Sequence, residues 1–461
     1  MHLSILKPLI CRFLLVFLLM LGLFQPALSQ TSSEPQREQL LNGLRLLLWP
    51  RPGGQELIIK LRIHSGAAFD LSGRSGQMTL LGDLLFPDRA TIEYFTEEMN
   101  GRLDVNVNYD SITLTMQGKA SELERILELL RNALVATQLS PEVVARMREA
   151  RIKIIRDTTV SPATVADRAV ASRLFGDYPY GRPPGGSVED LTRVVRADLM
   201  QARARFLNSN NATLALIGDV TKPRAMRALR QLLGPWRKSE QIVPSTFRQP
   251  VPPDARVLVI NTPTDVAELR LAVLGVSRSD PDYYSAKILA KLVQHRWEAQ
   301  MPQLTKRPIF ARSESHFLPG MFVMGASVDY QSLPDAINTA RKVIHSITPT
   351  PVSPAEMDRA RNEVISEVVA MSAKSEALGD PFLDLDTYRL TSVEDPIALL
   401  NNFTPADIQR LSTRLFKTAA MATIATGDAA QLKTALQGRT EYEILGEVAP
   451  PVKPANPSVK P

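Results

Sequence analysis

The sequence predicts an α+β protein of two homologous domains, each a mainly antiparallel sheet with helices packed on one face. Three observations carry that expectation. The chain contains an internal duplication, each half runs from strands through long amphipathic stretches to a final strand, and a proline-rich stretch with few apolar anchors lies between the halves. Strands that fail to alternate regularly with helices argue against a doubly wound parallel sheet.

The first residues read as an address. Lys7 and Arg12 supply positive charge, Phe13 to Phe24 are almost wholly apolar, and Ala27-Leu28-Ser29 offers small residues for cleavage before Gln30. Residues 1–29 are therefore expected to be a signal peptide. An uncleaved anchor is the competing reading, and the apolar run is shorter than the roughly 20 residues that span a bilayer. No later stretch is apolar enough to span, so export is expected, with the periplasm as destination and no stable membrane span after cleavage. The single cysteine, Cys11, lies in this segment. The mature chain thus has no thiol for a disulfide, a thiolate ligand or a cysteine nucleophile. Formal charge is +6, and removing Lys7 and Arg12 leaves +4 (6 minus 2). No lysine and arginine block is interleaved with aromatics, which excludes nucleic acid as a partner.

The first domain is expected over 30–234. Leu44–Trp49 and Glu56–Ile63 are strand-like runs joined by proline and glycine, Ser121–Ala136 and Pro141–Arg156 have helical periodicity, and Ala212–Ile217 is an apolar strand ending at Gly218-Asp219. Residues 235–256 hold five prolines and form the expected linker. The second domain, 257–446, repeats the pattern with Val257–Ile260, Glu268–Leu274 and Ala422–Gly427 before Asp428. The clearest mark of duplication is a helix and strand bracketed by Asp198 and Asp219 in one half and by Asp407 and Asp428 in the other. Each bracket spans 21 positions, and the two lie 209 apart (407 minus 198). Residues 447–461, rich in proline and lacking an apolar face, are expected to form a disordered tail.

In their order and spacing these pieces resemble the insulinase-like family, the inverzincins that include pitrilysin and the mitochondrial processing peptidases. The resemblance covers nearly the whole mature chain. It rests on Leu41-Asn42-Gly43-Leu44-Arg45, Gly66, Gly73-Arg74-Ser75-Gly76 before a helix ending Leu84-Leu85-Phe86, Pro179-Tyr180-Gly181-Arg182-Pro183, and the two Gly-Asp strand ends. Active members bind zinc through H-x-x-E-H on a helix, with both histidines on one face and the glutamate activating water. Here the resemblance puts Thr79 and Asp83 at the histidine positions and Gly82 at the general base. A hydroxyl is a poor zinc ligand, one carboxylate cannot hold the ion alone, and glycine takes no proton. The third ligand, a glutamate on a later helix, is replaced by Lys153-Ile154-Ile155-Arg156-Asp157, with no glutamate between Glu149 and Glu189. The same resemblance puts Gln303 and Phe310 where some zinc-free members carry an Arg and a Tyr that bind substrate and oxyanion. Gln303 keeps a donor without charge, and Phe310 lacks the hydroxyl.

No metal site replaces the lost one. His64, His295, His316 and His345 show no i, i+3 or i, i+4 pairing, and Asp83 with Glu93, Glu97 and Glu98 reads as a solvated acidic face. Arg307 and Arg312 read as solvated loop charges, and Ser75 as a turn or cap residue in place of a nucleophile. The expectation is a non-catalytic protein with no cofactor. Its leading reading is a subunit that pairs with an active zinc-bearing relative, or with itself, and holds peptide or unfolded polypeptide. The alternatives are an independent exported peptide-binding or chaperone-like protein and a metallopeptidase with a non-standard site.

Overall fold

The computed structural model describes residues 34–240, 247–301 and 306–446. The expected signal segment and tail lie outside them. In the first half, β1 (Gln36–Gln39), β2 (Arg45–Pro50), β3 (Glu56–Ile63), β4 (Arg102–Val107), β5 (Ile112–Lys119) and β6 (Ala212–Gly218) form one sheet in the order β1-β2-β6-β3-β5-β4. The second sheet contains β7 (Val257–Asn261), β8 (Ala267–Leu274), β9 (Phe310–Glu314), β10 (Met321–Val328), β11 (Ala422–Gly427) and β12 (Tyr442–Ile444), ordered β12-β7-β11-β8-β10-β9. From β2 to β6 and from β7 to β11 the order is the same strand for strand.

The registers show the duplication at residue level. Lys60 of β3 faces Ala215, and Arg270 of β8 faces Ile424. The two partners are 209 residues apart (424 minus 215), the offset read from the sequence, and the two cations are 210 apart (270 minus 60). The bracketing aspartates share a role as well. The backbone N–H of Val195 donates to Asp198 at 3.0 Å, and that of Thr404 donates to Asp407 at 2.9 Å. Each carboxylate thereby closes the first turn of its helix, where N–H groups lack intrahelical partners.

Six helices are central to the architecture: α1 (Gln77–Asp83), α2 (Pro141–Asp157), α3 (Pro162–Phe175), α4 (Arg196–Phe206), α5 (Asp380–Tyr388) and α6 (Pro405–Phe416). Ser140 and Ser161 start α2 and α3 by accepting from Val143 and Thr164, with proline at the first helical position. The stretch expected as helix over Ser121–Ala136 is α-helical only over Leu123–Arg131 and continues to Ala136 in a wider turn. Each sheet buries one face under helices of its own half, forming the two main cores.

The other face of each sheet is covered from the opposite half. Val170, Leu174 and Phe175 of α3 pack on Ala272, Val323, Ala422 and Ile424 of the second sheet. Phe382 and Leu383 of α5 pack on Leu47, Trp49, Ile58, Ala215 and Ile217 of the first. Charge follows the same exchange. Lys60, 7% exposed, meets Asp380 of α5 at 2.9 Å, and Arg270, 3% exposed, meets Asp167 of α3 at 2.6 Å. A buried cation without its partner is strongly destabilising, so these ion pairs fix the two halves in one relative position. Among the described residues no helix is long and apolar enough to cross a membrane.

Candidate functional site

The helix α1 is placed by a buried carboxylate. Asp70 accepts from the backbone N–H of Gly76 and of Met78, each at 2.7 Å. Gly76, at φ +89°, makes the turn that brings both groups to it. Burial pushes the Asp70 carboxyl up to about 7 despite those two donors. Ser75 is a turn residue held by Asp190, to which its hydroxyl donates at 2.5 Å.

On this helix the two residues expected at the histidine positions, Thr79 and Asp83, are both engaged in hydrogen bonds. The Thr79 hydroxyl donates to the carbonyl of Pro184 at 2.6 Å. Asp83 accepts from Arg151 of α2 through Nε at 2.8 Å and through a second guanidinium nitrogen. This is the fork-on-carboxylate geometry that makes arginine the strong partner of a half-buried acid. Burial still holds the Asp83 carboxyl above its ordinary range, against the pull of Arg151. Gly82 faces β4, where an added Cβ would come within 2.8 Å of Val107 Cγ2. The glycine therefore lets α1 lie closer to the sheet than any side chain would.

Residues 153–157, expected to replace the third ligand, form the last turn of α2. Lys153 and Asp157 pair with each other on its outer side, while Ile154 stands 54% exposed. The residue that reaches the motif is Arg151, which sequence reasoning missed. The signal was a lone acid at 83 and an arginine on the helix that the resemblance sets opposite. Among the described residues, no three His, Cys, Asp or Glu side chains converge to hold an ion. His64 bridges Thr387 and Thr213 at 2.9 and 3.0 Å, and burial drives its pKa down to about 3.

Of the pair expected in the second half, Gln303 lies outside the described residues. Phe310 begins β9 with its ring between two guanidiniums, Arg270 at 4.9 Å and Arg312 at 4.7 Å from the centroid. Its cross-strand neighbour is Gly325, where a Cβ would come 2.5 Å from the ring. Arg312 is not a solvated loop charge: it lies on β9, pairs with Glu314 at 2.5 Å and approaches Asp167 at 3.6 Å. The end of α2, the start of α3, the loop Gly181–Gly186 and the β9–β10 edge enclose a cleft of about 430 Å³, with Arg151 and Arg312 among its walls. Pro184 and Arg151, the partners of Thr79 and Asp83, thus share one cleft with the second-half strand.

Residues 193–364 match the family model described as "Peptidase M16 inactive domain". The chain is similar to the insulinase-like M16 peptidases. The matched stretch begins after residues 79–83, so the chemistry of that M16 window rests on its own residues. A fission yeast relative, a probable mitochondrial-processing peptidase subunit beta, is 19% identical over 86% of this chain and 92% of its own length. The human mitochondrial cytochrome b-c1 complex subunit 1 is 20% identical over 57% of this chain and 56% of its own. A Pseudomonas fluorescens structure titled as a peptidase M16 inactive domain shares the fold at a TM-score of 0.74, with 18% identity over 86% of this chain and 98% of that one. The inactive-domain match and the likeness to a respiratory-complex subunit support a non-catalytic M16 member.

Proposed function

We propose that this chain is an exported, non-catalytic M16 subunit that pairs with an active zinc-bearing relative and holds extended peptides in the chamber they share. In this reading residues 1–29 direct export to the periplasm, and domains 30–234 and 257–446, joined by 235–256, form one half of the chamber. The observation that carries it is the Asp83–Arg151 ion pair. An arginine fixed on the acid of a former ligand position presents positive charge where a cation would sit, while the surrounding scaffold keeps both sheets and their exchanged helices. A metal ion held there would have to displace a guanidinium making two charge-assisted hydrogen bonds, each worth more than a neutral one. Thr79 and Gly82 add neither a strong ligand nor a base.

Two relatives are named as subunits, one of a processing peptidase and one of a respiratory complex, which favours a partner over solitary action. Binding by such a shell needs no zinc, because an extended peptide adds to an unpaired sheet edge through its backbone. The test is affinity purification of the tagged full chain from its native host after mild crosslinking. The proposal expects an M16 peptidase with an intact zinc motif in stoichiometric yield. Recovery of the chain alone, or only as a homodimer, contradicts the pairing and favours an independent peptide-binding or chaperone-like protein.

A further inference from the structure

The cleft beside the degenerate motif has an unbalanced set of charges. Four guanidiniums line it, from Arg151, Arg168, Arg182 and Arg312, against two carboxylates, from Asp167 and Glu314. Both carboxylates are already occupied. Glu314 binds Arg312, and Asp167 is shared between Arg312 and the buried Arg270. Arg151 is held by Asp83. Two cations remain without a carboxylate in ion-pair contact among the described residues, although the Asp70 carboxyl feels the charge of Arg182. Arg168 lines the cleft and stands exposed, with no ion-pair partner among the described side chains. Arg182 donates only to the main-chain carbonyls of Asp70 and Leu71, at 3.4 and 3.2 Å, and its Nε is buried without any acceptor. An unsatisfied buried donor on a charged group is costly, and an anion in the cleft would balance the positive charge of this guanidinium.

The remaining wall is aliphatic. Ile154 is more than half exposed, and Ile155, Val160 and Met321 line the cleft beside it. One side is formed by Arg312 and Glu314 of β9, whose ladder partner is β10 on its other side. An open strand edge, an aliphatic wall and two unmatched guanidiniums suit an extended peptide carrying acidic and aliphatic residues close together.

We propose that this cleft binds acidic peptide segments, an Asp or Glu side chain meeting Arg168 and Arg182 while an adjacent aliphatic residue covers Ile154. This rests on the proposed peptide-holding function and names its substrate class. A strongly basic peptide would meet like charge at the mouth, and repulsion there costs affinity.

The test is fluorescence anisotropy with the purified mature chain and two labelled octapeptides, one alternating Glu and Leu and one alternating Lys and Leu. The acidic peptide should bind at least about tenfold more tightly at low salt and weaken as salt rises. Arg168→Glu, a surface change whose fold is checked by circular dichroism, should lower acidic-peptide affinity about tenfold and improve that of the basic one. Equal binding of both peptides, or an unchanged affinity in Arg168→Glu, overturns the acidic assignment while peptide holding stands. Binding of neither peptide sinks both. Displacement of the acidic peptide by dodecanoate at lower concentration than by unlabelled peptide would make the cleft a fatty-acid site and overturn the assignment.

Discussion

Replacing Arg151 by methionine isolates the ion pair that occupies the former motif. Methionine keeps the length and apolar stem of the side chain but leaves Asp83 without its partner. The two side chains are 21% and 23% exposed. Breaking a fully buried pair costs about 3–5 kcal/mol, and a fifth of each group in solvent brings the expected loss to about 2–3 kcal/mol at pH 7. The pH dependence follows from the carboxyl. Burial already raises Asp83 above its ordinary value of 3.8, and without Arg151 it rises further. Above the folded pKa the variant carries a buried, unmatched negative charge that destabilises it. Below 3.8 the carboxyl is protonated in both folded and unfolded chains and the cost vanishes. The deficit of Arg151→Met relative to the wild type should therefore shrink as pH falls from about 7 to about 4. Adding Asp83→Leu should restore stability to within about 1 kcal/mol of the wild type, because an apolar pair replaces the ionic one. Urea unfolding followed by circular dichroism reads the wild type, Arg151→Met, Asp83→Leu and the double variant. A loss that stays constant with pH, or a double variant whose loss is the sum of the singles, would refute the account.

Two further predictions concern the same frame. His64 is kept neutral by burial, with its pKa near 3 against 6.5 in the open chain. The unfolded state therefore binds a proton below pH 6.5 that the folded state refuses, and stability falls by up to about 1.4 kcal/mol per pH unit between 6.5 and about 3; His64→Gln should flatten that part of the stability profile in urea titrations. Gly82→Glu forces atoms into the 2.8 Å approach to Val107, an overpacking that should cost about 1–3 kcal/mol and appear as a lower thermal midpoint.

Much of the fold was legible because duplication leaves marks that survive divergence. The Asp198–Asp219 and Asp407–Asp428 brackets set the 209-residue offset, and the sheet registers repeat it. The exchange of α3 and α5 between halves was not legible, since an amphipathic helix reveals that it has an apolar face without revealing which sheet it covers. Val170 and Phe382 look like ordinary core positions until the second half is folded against the first. The residue types at 79, 82 and 83 were legible in the sequence, because side-chain chemistry is read directly from residue type. What fills the gap depends on a contact between residues 68 positions apart, and only the packed structure brings Arg151 onto Asp83. Phe310 is similar: its lack of a hydroxyl was evident, while its place between Arg270 and Arg312 depends on the cross-strand glycine at 325.

The most direct test of the central claim is zinc content of the purified mature chain by elemental analysis, paired with cleavage of a quenched fluorescent peptide library with and without added zinc. The account predicts no stoichiometric zinc and no chelator-sensitive cleavage. One zinc per chain with cleavage that a chelator abolishes would contradict it, and would mean that the Asp83–Arg151 pair opens to admit a metal.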